Sequence, residues 1–426
     1  MNNNKTFSDI KSEFPFFKKN RNLVFFDSAA TSLKPKVVID AVNKYYQNYS
    51  TNTHNLDFPL AIETKDIYES CRQDVADFIH SQKNEVIFCP STTFALNQIA
   101  YSLGQYLKEG DEVVLTTCEH SSLLLPFYRL AQEKKIILKF IDVSTDGLIT
   151  ITNLKKILTK KTRIVAFASM NNSLGTINNV RELAKIVKNF KIEKKSQADW
   201  PFEKVLVLID GAQSISHSMT NVSQWDIDFF TFSAHKLFGP TGIAVWWAKA
   251  KWLDLMQPLI LGGGMNGRIY KDGKFTLLDP PDRFEAGTPN LAGIFGLQAA
   301  IKYVREIGIE NIAQYERELK KYALEQFKKH LGDKVVVYNE NQESGILLFN
   351  VLNVAAEDVA NYLGHQKIAL RSGNFCAKLL SEVINCASSL RVSFSIYNNK
   401  QDVDHLIAAL QKGFNDGGDF LNEFFN

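Results

Sequence analysis

Two short apolar runs each end in residues that could do chemistry. One runs through Leu208 and Ile209 to Asp210, in Leu208-Ile209-Asp210-Gly211-Ala212-Gln213; the other, Asp228 to Phe232, leads into Ser233-Ala234-His235-Lys236. A lysine amine in such a turn can form a Schiff base with an aldehyde. A carboxylate nearby can hold the proton of a ring nitrogen, so that the ring acts as an electron sink. The ordinary alternative is a surface lysine in a turn and an aspartate closing a strand. The remaining motifs argue for the chemical reading.

Pro90-Ser91-Thr92-Thr93 leaves a strand and opens a helix, a place where hydroxyls and backbone N–H groups converge on an anion. Ser and Thr also simply cap helices, but with Ser233 and His235 added, Thr92 and Thr93 become a phosphate cup. His120 follows a strand, where an imidazole can stack on a flat ring and move protons. Asn172 and Gln213 can hydrogen-bond a phenolic oxygen or a substrate. Arg371 and Arg391 offer planar forks for a carboxylate. Arg391 sits in an apolar run, so its charge is expected to face a cavity or a partner. Cys376 follows a glycine in a loop and can be a nucleophile, although a lone cysteine is more often a small buried apolar residue.

These residues need a frame to bring them together. Apolar patterning predicts strands at 85–89, 112–116, 136–141, 163–168, 205–209 and 229–232, with helices at 93–107, 123–133, 151–158 and 180–190 between them. Short, continuously apolar strands alternating with helices imply a mostly parallel sheet covered on both faces. Ligands in such sheets bind beyond the carboxyl ends of the strands, where Asp210 and Lys236 fall. Upstream, residues 7–20 read as a short amphipathic helix and a basic turn, with helices at 37–49 and 61–79. After Gly287-Thr288-Pro289-Asn290 the pattern changes to long helices at 294–307 and 309–330. Strands follow at 335–338, 345–350, 369–372 and 389–396, then a helix at 401–414, which together make an α+β unit.

The chain has 426 residues, 45% hydrophobic and 22% charged, with a net charge of +3. That length suggests two domains. The small charge gives no case for nucleic acid or an anionic membrane as partner. Five cysteines (Cys71, Cys89, Cys118, Cys376, Cys386) lack the close spacing of a metal site, so no metal is expected. With no apolar leader at the N-terminus and no spanning run, the cytoplasm is the expected location.

In order along the chain stand DSAATSLKP, STT, CEHSS, NNSLGT, LIDGAQS, FSAHKLFGPTG, RFEAGTPN, RSGNFCA and SLRVSFSIYN. This series resembles class V, fold type I pyridoxal-phosphate enzymes, and more narrowly the SufS/CsdA-like (group II) cysteine desulfurases, over about residues 24–413. The resemblance implies a large α/β domain, 24–293, around a mostly parallel seven-stranded sheet. It also implies a smaller α+β domain of residues 1–23 and 294–426 that carries the Cys376 loop.

By position, Lys236 would bear pyridoxal 5′-phosphate, Asp210 would pair with its ring nitrogen, His120 would stack on the ring and Gln213 would lie near the phenolic oxygen. Thr92, Thr93, Ser233 and His235 would hold phosphate, with Thr288 supplied by the second subunit of a homodimer. Arg391, assisted by Asn172, would bind the carboxylate of L-cysteine. Cys376, positioned by Arg371, would take the sulfur as a persulfide for a SufE- or SufU-type acceptor, serving iron–sulfur assembly or thio-modification. A selenocysteine lyase, a cysteine-sulfinate desulfinase, another class V aminotransferase and a silent sulfur-trafficking scaffold are the competing expectations. The chain departs from the family pattern at Asn374-Phe375, where two histidines are usual, at Ser121, at Phe94, and at His54-Asn55-Leu56-Asp57-Phe58.

Overall fold

The computed structural model describes residues 7–196, 198–415 and 420, so the expected assignments at the extreme termini lie outside the described residues. Its large sheet has seven strands: β1 (Val86–Cys89), β2 (Glu112–Thr116), β3 (Ile137–Ile141), β4 (Thr162–Ala168), β5 (Leu206–Asp210), β6 (Phe229–Ser233) and β7 (Ala244–Ala248), in the spatial order β1-β7-β6-β5-β4-β2-β3. Strands β6, β5, β4, β2 and β3 run parallel to one another. Strand β7 is antiparallel to both neighbours and was not expected from the sequence. Its continuous apolar run Ala-Val-Trp-Trp-Ala follows the turn Gly239–Gly242, which brings the chain straight back beside β6 without a crossover helix.

Alternate residues of a strand face opposite sides of a sheet, and here both sides are packed. Val207 and Ile209 of β5 join one apolar cluster, and Leu206 and Leu208 join another. That is why these strands read as continuous apolar runs in the sequence. A second sheet of β8 (Val335–Val337), β9 (Ile346–Val351), β10 (Arg371–Gly373) and β11 (Ser389–Ser393) is wholly antiparallel in the order β8-β9-β11-β10. Its core includes Leu347, Phe349, Leu390 and Val392, with Leu319 and Phe327 from helix Ile309–His330.

The division expected at residue 293 falls inside helix Leu291–Ile307. Its Leu291, Ile294, Leu297 and Ile301 pack with the large sheet's core, as do Ile10 and Phe14 of the N-terminal segment. Of the short helix and basic turn expected over 7–20, the helix forms at Phe7–Ile10 with a tighter turn at Lys11–Glu13, and a second short helix, Phe16–Lys19, follows Pro15. The strand expected at 369–372 divides in two: Ile368–Ala369 pairs with Val24–Phe25, and Arg371–Gly373 enters the small sheet. A hairpin, Asn266–Ile269 with Phe275–Leu277, was also unexpected; it is largely exposed and carries no apolar alternation to reveal it.

One buried ion pair fastens the sheet edge at β1. Arg72 Nη1 and Nη2 lie 2.7 and 2.8 Å from the two oxygens of Glu285, and Nη1 also donates to the carbonyl of Val86 at 2.8 Å. Glu285 in turn accepts the Phe88 N–H at 2.7 Å and the Tyr68 hydroxyl. Removing one member leaves the other charge buried and unpaired. Arg72→Met is therefore expected to cost about 3–5 kcal/mol, read as a lowered urea midpoint of the folded protein.

Candidate active site

The site is assembled at the carboxyl ends of the central strands. In the parallel register of β5 and β6, Asp210 lies opposite Thr231. The chain leaving β5 passes so close to β6 that a Cβ on Gly211 would stand 2.0 Å from Phe230 Cζ, which restricts this position to glycine. Asp210 is buried and accepts the Ala212 N–H at 2.9 Å. Lys236 follows in the helical turn after β6 and donates to Gln213 Oε1 at 3.3 Å.

Asp210, Lys236, His120, Gln213, Thr92, Thr93, Ser233, His235, Asn172, Arg371 and Arg391 all line one cavity of about 210 Å³. At one end, Ser233 Oγ accepts the Thr92 N–H at 2.9 Å and lies 2.8 Å from the Thr92 hydroxyl. Thr93 Oγ1 is 2.7 Å from Ser122 Oγ. These groups sit at the start of helix Thr92–Gly104, whose N-cap, Ser91, accepts the Phe94 N–H at 3.1 Å. Hydroxyls and a helix N-terminus together suit a phosphate.

The electrostatics of the cavity are unusual. Burial pushes the Lys236 amine down to about 8, with Arg391 and Arg371 acting in the same direction and Asp210 against it. Burial, followed by Lys236 and Lys34, pushes His235 down to about 4, which keeps its ring neutral. His120 is lowered as well, by burial first and by Lys236 and the two arginines, while Asp210 opposes. Its Nδ1 accepts the Ser122 N–H at 3.1 Å, so the proton of the neutral ring is on Nε2.

Arg391 and Cys376 belong to a connected group. Burial lowers the Arg391 guanidinium to about 10, which leaves it charged at neutral pH. It pairs with Asp27 at 2.9 Å and donates to the Asn172 carbonyl at 2.7 Å. Asn172 Nδ2 donates to the Phe375 carbonyl at 2.9 Å, and the Phe375 ring lies 4.8 Å from the Arg391 guanidinium. Next along the chain, Cys376 presents its carbonyl to the N–H and the hydroxyl of Ser121, both at 2.8 Å, and its N–H to Asn374 Oδ1 at 3.2 Å. Arg371 Nη2 stands 3.8 Å from the Cys376 sulfur. Phe375 and Cys376 have φ of 53° and 62°, a backbone held in the left-handed region by these contacts.

Thr288 is not brought to this cavity. It is exposed, 3.4 Å from Asn52 Nδ2, and borders a second cavity with Phe94, Gly242 and Phe284. Sequence reasoning missed Asp27, Ala29, Ala30, Ser122 and Met170. Asp27 carried a usable signal, because Val24-Phe25-Phe26-Asp27 is the same pattern of a carboxylate closing an apolar run that marked Asp210.

A family model described as aminotransferase class-V matches residues 24–406. The chain belongs to the class-V aminotransferase family. Among its relatives, a probable cysteine desulfurase of Ureaplasma parvum is 41% identical over 405 residues, covering 95% of this chain and 97% of that protein. A cysteine desulfurase of Serratia proteamaculans is 35% identical over 408 residues, with the same two coverages. Two solved cysteine desulfurases share the architecture. The one from Thermococcus onnurineus NA1 is 33% identical with a TM-score of 0.88, and CsdA from Escherichia coli is 30% identical with a TM-score of 0.86; each comparison covers 97% of this chain and 99% of the other.

This class-V chain is of the SufS/CsdA type, and its cofactor is pyridoxal 5′-phosphate. The side chains fit that cofactor: an amine for the aldehyde, a buried carboxylate for the ring nitrogen, an imidazole for the ring face and hydroxyls at a helix N-terminus for the phosphate. Only a free amine attacks an aldehyde. The rate at which cofactor-free protein takes up pyridoxal phosphate, followed by visible absorbance, is therefore expected to rise with pH through a midpoint near 8, the value for buried Lys236. A midpoint near the ordinary 10.5 would contradict the buried amine.

Proposed function

We propose that this enzyme converts L-cysteine to L-alanine and captures the sulfur on Cys376 as a persulfide. The observation that carries the reading is the placement of Cys376. Its backbone is clamped beside His120 by Ser121, and its thiol stands next to Arg371, which lines the cavity holding Lys236. An aminotransferase has no use for a thiol held there.

When bound, pyridoxal phosphate supplies an electron sink for the substrate α-carbon. The remaining work falls to side chains. Arg391, kept charged and oriented by Asp27, takes the substrate carboxylate, with Asn172 fixing the guanidinium from its carbonyl side. Asp210 holds the ring nitrogen's proton. The amine of Lys236, lowered to about 8, is free often enough near neutral pH to remove the substrate α-proton and to return a proton afterwards. The Cys376 thiolate attacks the substrate sulfur: an S–S bond forms, the carbon–sulfur bond breaks, and its electron pair stays with the substrate β-carbon. Protonation there completes alanine. Arg371, 3.8 Å from the Cys376 sulfur, positions it.

The reading extends to partners. Thr288 and the exposed Leu56, Phe58, Leu60, Ile260 and Leu261 support a homodimer in which a second copy covers this surface. A sulfur acceptor of SufE or SufU type would then receive the persulfide, for iron–sulfur assembly or thio-modification. The five cysteines, all free, are in keeping with a cytoplasmic location.

Supplied with L-cysteine and no keto acid, the loaded enzyme is expected to release alanine. Cys376→Ala is expected to slow this by roughly 100-fold or more while keeping the visible absorbance of the cofactor. Lys236→Ala is expected to lose roughly 10²–10⁴-fold. Undiminished alanine formation in Cys376→Ala would refute the persulfide route.

A further inference from the structure

Behind Gln213 the hydrogen bonds continue to residues that the chemistry above does not use. Gln213 Nε2 lies 3.4 Å from His217 Nε2, and His217 Nδ1 lies 2.5 Å from Glu316 Oε2. His217 follows Gln213 by one turn, in the helical segment after β5, whereas Glu316 comes from the long helix Ile309–His330 whose later residues build the small domain's core.

The donor and acceptor types give this chain of contacts a single direction. The charged Lys236 ammonium has only donors, so in that form the oxygen of the Gln213 amide faces it. That leaves the Gln213 nitrogen facing His217, whose Nε2 must accept. In a neutral ring the proton then sits on Nδ1, and a carboxylate receives it. Reversing any one contact would set two donors or two acceptors face to face. Glu316 is tightly held: its side chain is 1% exposed, and a Cβ on Gly345 of the small domain would stand 2.8 Å from Glu316 Cβ. Its other oxygen, Oε1, has no hydrogen-bond partner, so its fixed contact with His217 is the one it makes.

We infer that His217 and Glu316 are positioning residues, which fix the Gln213 amide with its oxygen toward Lys236 and thereby tie the cofactor pocket to the seating of the small domain. Neither touches the reacting atoms. Their effect passes through one amide, which without His217 is free to turn its NH2 group toward the lysine. An acceptor facing Lys236 favours its charged form. Losing that acceptor, or replacing it by a donor, makes the amine easier to deprotonate.

The inference rests on the cofactor occupying this cavity and not on the sulfur chemistry, and the experiment separates the two. The pH dependence of pyridoxal phosphate uptake by the cofactor-free protein is measured for His217→Phe, Glu316→Leu and Glu316→Gln, each also in a Gln213→Leu background. The midpoint is expected to fall by about half a pH unit or more in His217→Phe and Glu316→Leu. In Glu316→Gln, whose amide oxygen still accepts from His217, it is expected to stay with the unmodified protein. In the Gln213→Leu background the same substitutions are expected to add no further shift.

An unchanged midpoint in His217→Phe, or an equal shift with Gln213 already removed, would overturn the inference. If His217→Phe does not fold, His217→Asn, too short to reach Gln213, carries the same comparison. Failure of the unmodified protein to take up cofactor would count against the cofactor assignment instead.

Discussion

Everything at the site depends on the parallel register of two buried strands. With Asp210 opposite Thr231, the turn carrying Ser233 to Lys236 leaves its strand just beyond the aspartate, and both arrive in one cavity. A slip of one residue would send every side chain of a strand to the other face of the sheet. That slip is blocked on both faces, because Leu206 and Leu208 pack into one apolar cluster and Val207 and Ile209 into the other. The register thus sets the distance between a carboxylate and an amine, and burial of that amine brings it to about 8. Packing of the sheet and reactivity of the lysine are two consequences of the same constraint.

Around this centre, charge is balanced by pairing. Arg391 is almost entirely buried, which is costly for a guanidinium, and Asp27 offsets it across a 2.9 Å ion pair. The Cys376 loop is held by a set of close contacts. Ser121 grips the Cys376 carbonyl, Asn374 takes its N–H, and Phe375 sits against Arg391 in a small apolar cluster with Cys118 and Leu174. The loop is therefore fastened from three sides.

The sequence made the sheet legible where both of its faces are buried, since such strands are continuous apolar runs and their ends point to the ligand side. Asp210, Lys236 and His120 could be placed by that logic alone. Other features depend on the return path of the chain. The antiparallel strand Ala244–Ala248 has the composition of its neighbours, and only the tight turn before it reveals its direction. Helix Leu291–Ile307 straddles the expected domain division because its apolar face matches the large core, a fit that a change in sequence character cannot show. Pairings between distant segments, such as Asp27 with Arg391 and His217 with Glu316, connect residues hundreds or tens of positions apart and carry no local signal.

The central claim is that the cavity delivers substrate sulfur to one particular thiol. Mass spectrometry of the loaded protein, brought together with L-cysteine and digested without reductant, tests it most directly. The account predicts one added sulfur atom on the peptide containing Cys376 and none on those containing Cys71, Cys89 or Cys118, which are buried. Alanine released with no sulfur gained at Cys376, or sulfur gained equally at the other cysteines, would contradict it.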